Sequence, residues 1–462
     1  MLNKKNNEID MTNGPLLKKM LVFALPLIFT VVLQSLFNTA DLVVVGKFGH
    51  PGALAAVGAT GSAVTLFINF FVGLSVGASV CVSRFYGAKD DDSVQKCVHT
   101  SLVVALVVGV GVGLAGVFLS KPLLSFMETP PDIINQSTLY MQIYFMGMPF
   151  SMMYNFCASI LRAVGDSKRC LIYISTAGII NVVLNLVFVI VCDMNVAGVA
   201  TATVISQGYS AFMALRYLLK YDGVLKVYPK KLKIYKRPLA QILSVGVPSG
   251  LQSLLFSISN VFLQAGINTL GTAVLSGGTA ASNVENYVYI SQNSVANTVL
   301  NFTGQNFGAN KFDRIKKVVF CGMFLSTAIG LTLALIFYGF SDFFLGFYTN
   351  IPEEIAFGKT KLLVIGVPYF LCGIMECLSS AIRGMCHNIA ATIITVFGVC
   401  VARILWIYTV FASIGTDWSL YLSYPVTWAL TFLVHTMCYA WIMEHKIKPM
   451  YEARVRREQQ AA

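Results

Sequence analysis

Apolar runs of about 20 residues or more, separated by charged clusters, repeat along the whole chain. They fall at about 20–46, 53–82, 98–120, 138–161, 170–192, 196–215, 239–266, 274–305, 318–341, 362–382, 391–412 and 418–443. Each is long enough to cross ~30 Å of hydrocarbon as a helix, so the pattern predicts twelve transmembrane helices and an all-α polytopic membrane protein. The polar residues inside these runs keep helical spacing. Thr30, Gln34, Asn38 and Asp41 follow one another at four, four and three residues, which puts them on one face of the first helix. The seventh helix repeats the stripe without an acid in Ser253, Ser257, Asn260 and Gln264. The fifth carries Asn181 and Asn185 one turn apart, and the eighth carries Asn286, Asn293, Asn297 and Asn301 beside Glu285. Amides facing lipid would go unsatisfied, so these stripes face a bundle interior, where they either fix packing by interhelical hydrogen bonds or line a wet cavity.

The two halves of the chain repeat. An offset of 222 places Pro26 on Pro248, Asn38 on Asn260 and Gly49 on Gly271. With slight slippage "FYGA" at 85–88 aligns with "NFGA" at 306–309, "GMP" at 147–149 with "GVP" at 366–368, and Arg162 with Arg383. The expected organisation is therefore an N-terminal six-helix bundle (1–218), a basic linker (219–238), a C-terminal six-helix bundle (239–445) and a tail (446–462). Six helices per half make both bundles start on the same side, so they are related by a pseudo-twofold axis along the membrane normal, with substrate between them.

Composition agrees with a bilayer protein: 56% of the 462 residues are hydrophobic and 12% charged, and the mean hydropathy is +0.70. An average soluble domain has roughly 25% charged residues. The net charge of +12 matters through its placement. Of the 33 Lys and Arg, 28 fall in segments that share one side; Lys47, Lys121, Lys359 and Lys361 fall on the other, and Arg403 lies within a helix. By the positive-inside bias both termini are cytoplasmic, in keeping with an even helix count, and nucleic acid is not the expected partner. The first apolar run lacks the short core and cleavage site of a signal peptide, so it is read as a retained helix in a multi-pass cell-membrane protein. The eleven cysteines show no zinc-site spacing and read as packing thiols.

Besides the loop charges, four ionisable residues stand well inside helices: Asp41, Glu285, Glu376 and Arg403. Either Arg403 neutralises Glu376 or Glu285 as a structural pair, or these groups act in transport. Asp41 differs, since no basic residue lies in the core of the first six helices. Such an acid in a low dielectric binds H⁺ or, with amide and carbonyl oxygens, Na⁺. It lies six residues before Lys47, ~9 Å along the axis from the outer end of the helix. Pro26 leaves a carbonyl unpaired and permits a bend in the same helix.

Several stretches resemble the multidrug and toxic compound extrusion family. They are "ALP" (24–26), "NTADLVVVGKFG" (38–49), "RFYGAKDD" (84–91), "ILRAVGDSK" (160–168), "VAGVATATVISQ" (196–207), "VENY" (284–287), "GQNFGANK" (304–311), "AIRG" (381–384) and "VARILWIY" (401–408). The resemblance implies two bundles around a central cavity and an antiporter that exports amphiphilic, often cationic, drugs in exchange for H⁺ or Na⁺. It makes Asp41 the coupling carboxylate and Pro26 the bending proline. Asn181 matches the amide near that carboxylate, Asn185 stands where some members have a second acid, and Asn38 and Gln34 complete the candidate cation site. Glu285 matches an eighth-helix acid of a bacterial branch. Glu376, Arg403, Asn286 and Asn293 are the other candidates of the C-terminal half, and Tyr144, Met152, Met153, Tyr154 and Asn260 are candidates for the substrate cavity. No cofactor or structural metal is expected; the partners are small-molecule substrates and membrane lipid, and the protein is expected to be a monomer.

No enzyme motif survives its context. "GVGLAG" at 111–116 follows no strand and lies within a span, where small residues serve helix packing. Neither HExxH nor GxSxG occurs. The rival readings are a lipid-linked saccharide flippase, which would need several cavity Arg or Lys, and a non-transporting receptor or scaffold, which would not need acids in both repeats.

Overall fold

The computed structural model describes residues 8–452 and residue 456; Lys4 and Lys5 of the N-terminal basic cluster and most of the tail lie outside them. Among the described residues there are twelve long helical segments. They are α1 (Leu16–Phe48), α2 (Ala53–Gly87), α3 (Asp91–Phe126), α4 (Ile134–Met146 and Met148–Ala163, divided at Gly147), α5 (Ser167–Val191), α6 (Asn195–Lys220), α7 (Lys236–Asn268), α8 (Thr272–Gly308), α9 (Phe312–Gly339), α10 (Pro352–Gly384), α11 (Asn388–Ile414) and α12 (Asp417–Glu452). Nine of these are long and apolar enough to cross a membrane by composition alone. The other three are α4, α6 and α8: a glycine divides the first, and polar residues that lower hydropathy fill the other two. The fold is that of a polytopic protein with twelve helices in two six-helix bundles.

Most helices run past the apolar stretch that predicts them, because the ladder continues beyond the hydrocarbon where caps satisfy its ends. Asp90 and Asp166 accept from the backbone N–H of Ser93 and Arg169 at the starts of α3 and α5. The repeat is visible in the turns as well. Positive φ occurs at Lys89 and Asn310, at Gly165 and Cys386, and at Asp193 and Gly415, pairs separated by the repeat offset to within one residue. The same chain reversal is therefore built twice.

Two compact units divide the contacts: Met1–Ile9 with Leu25–Tyr86 and Asp90–Gly250, and Asp10–Ala24 with Gly87–Lys89 and Leu251–Ala462. In the first, small residues bring helices to backbone contact. A Cβ at Gly113 would meet the Phe145 carbonyl at 2.9 Å, and one at Gly116 would enter the Phe145 ring. Gly113 and Gly116 of "GVGLAG" thus serve the packing of α3 on α4. Cys81 and Cys97 are paired as a disulfide with Cα atoms 6.6 Å apart, a pairing their spacing does not announce. The basic linker lies against α3: His99 accepts from the Tyr228 backbone N–H at 3.0 Å, and Thr100 from that of Tyr235 at 3.2 Å.

Candidate functional site

α1, α5 and α6 of the first unit meet at Asp41. The side-chain amide of Asn185 donates to Asp41 Oδ1, and the Thr203 hydroxyl lies 3.4 Å from Oδ2. Asn181 Nδ2 donates to Thr203 Oγ1 at 3.3 Å, and Asn185 Nδ2 lies 3.4 Å from Asn181 Oδ1. The four side chains thus form one network on three helices, with Asn185 completely buried and Asn181 nearly so. Asn185 Oδ1 has no hydrogen-bond partner, so an unused acceptor stands beside the carboxylate. Among the described residues no lysine or arginine acts on Asp41.

The helices reach this register through a close contact one turn below. Phe37 precedes Asp41 by four residues, and its ring occupies the place a Cβ of Gly178 would take, with Cε2 at 1.7 Å from that position. Asn181 and Asn185 follow Gly178 by one and two turns on the same face of α5. Thr30 Oγ1 bonds the Pro26 carbonyl at 2.6 Å, a back-bond of the kind that bends helices.

Of the residues anticipated here, the structure joins Asp41, Asn181 and Asn185. Gln34 and Asn38 are exposed and take no part in the network. Thr203 was missed, although it lies within the "VAGVATATVISQ" stretch. Tyr144 stacks on Tyr140 with centroids 6.2 Å apart, and both rings lie within electrostatic reach of the carboxylate. Met152 and Tyr154 are both buried in the helical core, where Met152 packs against Gly109 and the Tyr154 hydroxyl donates to the Cys170 carbonyl at 3.3 Å. Met153 is half-buried against the same core.

The second unit has a different constellation. Glu285 Oε2 lies 3.9 Å from Lys361 Nζ, and both side chains are buried. Lys361 also donates to the Gly278 carbonyl at 2.9 Å and to the Ser282 hydroxyl. Lys361 therefore leaves the loop charge count, because α10 begins at Pro352 and places it nine residues into the helix. Arg383, also buried, donates to Gln252 Oε1 at 2.5 Å and is the cation that acts on Glu376. The pairing of Arg403 with Glu285 or Glu376 is overturned: among the described residues no carboxylate lies within ion-pair distance of its guanidinium, whose carbon lies 4.0 Å from the centroid of the Tyr424 ring. Asn286, Asn293 and Asn260 are exposed, and Asn293 accepts only from Asn297 on its own helix. Among the described residues no three His, Cys, Asp or Glu side chains gather as a metal site.

Two repeated six-helix bundles with a carboxylate network buried in one of them define a membrane transporter. The MatE family model matches residues 26–187 and again residues 248–409, with the same 222-residue offset found between the halves. The chain belongs to the MatE family, whose members are transporters and not enzymes. It is 28% identical over 444 residues to "Probable multidrug resistance protein YoeA" of Bacillus subtilis, covering 93% of this chain and 94% of that one. It is 22% identical to "Multidrug export protein MepA" of Staphylococcus aureus, covering 89% and 91%. A solved structure described as the outward-facing conformation of a multidrug resistance MATE family transporter superimposes with a TM-score of 0.87 at 21% identity, covering 94% and 98% of the two chains. A second, described as MATE in the bent conformation, gives 0.86 over 94% and 97%, also at 21% identity.

Proposed function

We propose that this protein is a secondary antiporter of the cell membrane that exports amphiphilic, cationic compounds in exchange for H⁺ or Na⁺, by alternating access of its two bundles. The observation that carries the reading is the Asp41 network. It has an acid on a membrane helix, held by an amide and a hydroxyl and with no basic partner among the described residues, next to the unused acceptor Asn185 Oδ1. An acid in that setting exchanges a small cation more readily than one locked in an ion pair. The oxygens of Asp41, Asn181, Asn185 and Thr203 are ligands suited to Na⁺, and the carboxylate alone suffices for H⁺. Pro26, fifteen residues before Asp41 on the same helix, is the site where cation occupancy would alter the bend of α1. The charge bias of the loops supports cytoplasmic termini. The names of the relatives, multidrug resistance and multidrug export proteins, support drug-like substrates.

Proteoliposomes test this with each gradient imposed separately. A proton or a sodium gradient should drive uptake of a fluorescent cationic dye, and Asp41→Asn, which keeps the shape and removes the titrating group, should abolish the driven flux in a folded protein. Flux in neither gradient would sink the antiporter reading. Wild-type flux in Asp41→Asn would move the coupling site elsewhere.

A further inference from the structure

Arg403 is the one helix-embedded cation of the second unit for which the described residues offer no acid. Its side chain is 3% exposed, its Nε has no hydrogen-bond partner, and its guanidinium carbon lies 4.0 Å from the centroid of the Tyr424 ring. Of the two acids inside the helices of that unit, Glu285 is paired with Lys361, and Glu376 lies within electrostatic reach of Arg383. Arginine cannot escape an apolar setting by losing its proton, so a charge buried this way is retained at a cost and calls for a partner. The N–H groups at the edge of the guanidinium lie in plane, in the fork that matches a carboxylate with two parallel hydrogen bonds.

The surroundings suit the rest of an amphiphile. Tyr424 packs on Trp428 with centroids 5.6 Å apart, and Tyr369 packs on the same indole at 4.8 Å. Trp428 is buried, while the two tyrosines are half-buried, so the aromatic group keeps an open side. π-Helical turns at Val396–Val401 and Ile407–Phe411 bracket Arg403 on α11, a departure from regular helix that recurs at binding sites.

We propose that Arg403 is a substrate-binding residue that takes the carboxylate of an amphiphilic aromatic substrate, with Tyr424 holding the guanidinium in place, so that zwitterions as well as simple cations are exported. This rests on the export reading above and narrows its substrate class. The test uses rhodamine B, which carries a free carboxylate, and its ethyl ester, which differs only in masking that group. Wild-type protein in detergent should bind the acid at least about 10-fold more tightly than the ester, the ratio expected for a charge-assisted pair. Arg403→Met should erase the difference in binding between the acid and the ester. Arg403→Lys, which keeps the charge and loses the fork, should fall between. Equal binding of acid and ester by wild-type protein overturns the proposal, and that measurement needs no variant to fold. A preference for the acid that survives in Arg403→Met also overturns it. Driven flux of the ester with no preference for the acid discards this inference and keeps the export reading; driven flux of neither dye discards both.

Discussion

The side-chain amide of Asn185 donates to the carboxylate of Asp41, 144 residues away in the chain. Between them these residues join the first helix to the fifth, and Thr203 adds the sixth. A carboxylate held by neutral donors is oriented without being neutralised, which is the condition a reversible cation site needs. The second unit has the opposite arrangement, since Lys361 supplies Glu285 with an internal counter-charge. The two repeats share a fold and have diverged in their electrostatics.

Thr203→Val keeps the volume and removes the hydroxyl that faces Oδ2. The bond favours the charged, cation-free carboxylate, so losing its net contribution of about 1 kcal/mol corresponds to roughly a 5-fold tighter apparent affinity for a coupling proton. Asn185→Ala removes the bond to Oδ1 and should tighten it by about 10-fold or more, since hydrogen bonds to charged groups are stronger. Driven flux measured against cation concentration checks both; unchanged half-saturation in Asn185→Ala would separate the network from coupling.

Gly178→Ala tests how the site is positioned. The new methyl would collide with the Phe37 ring, and overpacking of this kind costs about 1–3 kcal/mol. α1 must then move away from α5, which stretches the Asp41–Asn185 bond. Loss of driven flux is expected with only a modest fall in melting temperature. Phe37→Leu in the same chain should restore part of the flux by returning the space; no rescue would show that the contact does not set the register.

The helical period explains how much of this was legible. Asp41, Asn181 and Asn185 stand out because four-residue spacing on apolar helices reveals a shared face. Thr203 does not, since one threonine in "VATATV" is indistinguishable from its neighbours until α6 is placed against α1. The burial of Met152 and Tyr154 is not legible either, because periodicity identifies a face without saying which helix covers it. Lys361 reads as a loop residue because the apolar run begins one residue later, yet the helix starts at Pro352. The orphan state of Arg403 depends on which acids other side chains have already engaged, and no linear pattern records that.

Acidification should release the N-terminal segment. Burial acts to raise the pKa of Asp10, but hydrogen bonds from Asn13 and Thr12 and the charge of Lys19 outweigh it and bring the carboxyl down to about 2. A folded pKa below the unfolded value, about 4, stabilises the segment at neutral pH, and that contribution is lost as the pH falls from about 4 through about 2. Amide exchange at Thr12 and Asn13, both of whose N–H groups donate to Asp10, should be protected at pH 7 after correction for intrinsic rates. Protection should fade across that window and be absent at every pH in Asp10→Ala. Equal protection in Asp10→Ala would assign the turn's order to Lys311 and Arg314, which bond its carbonyls.

Lys361→Met should unfold more easily than any other single change in the second unit's polar groups. It leaves Glu285 buried without its cation, and breaking a buried pair from one side costs about 3–5 kcal/mol. Glu285→Gln should cost less, because Lys361 keeps its bonds to the Gly278 carbonyl and the Ser282 hydroxyl. In the double variant neither charge is stranded, so its stability should exceed that of Lys361→Met, giving a favourable coupling in a double-mutant cycle of denaturant unfolding in detergent. Flux separates structure from transport in the same variants. If Glu285 serves only to balance Lys361, the double variant will export at the wild-type rate with an unchanged dependence on the driving cation. A lost dependence would make Glu285 a second coupling group that Lys361 holds in reserve.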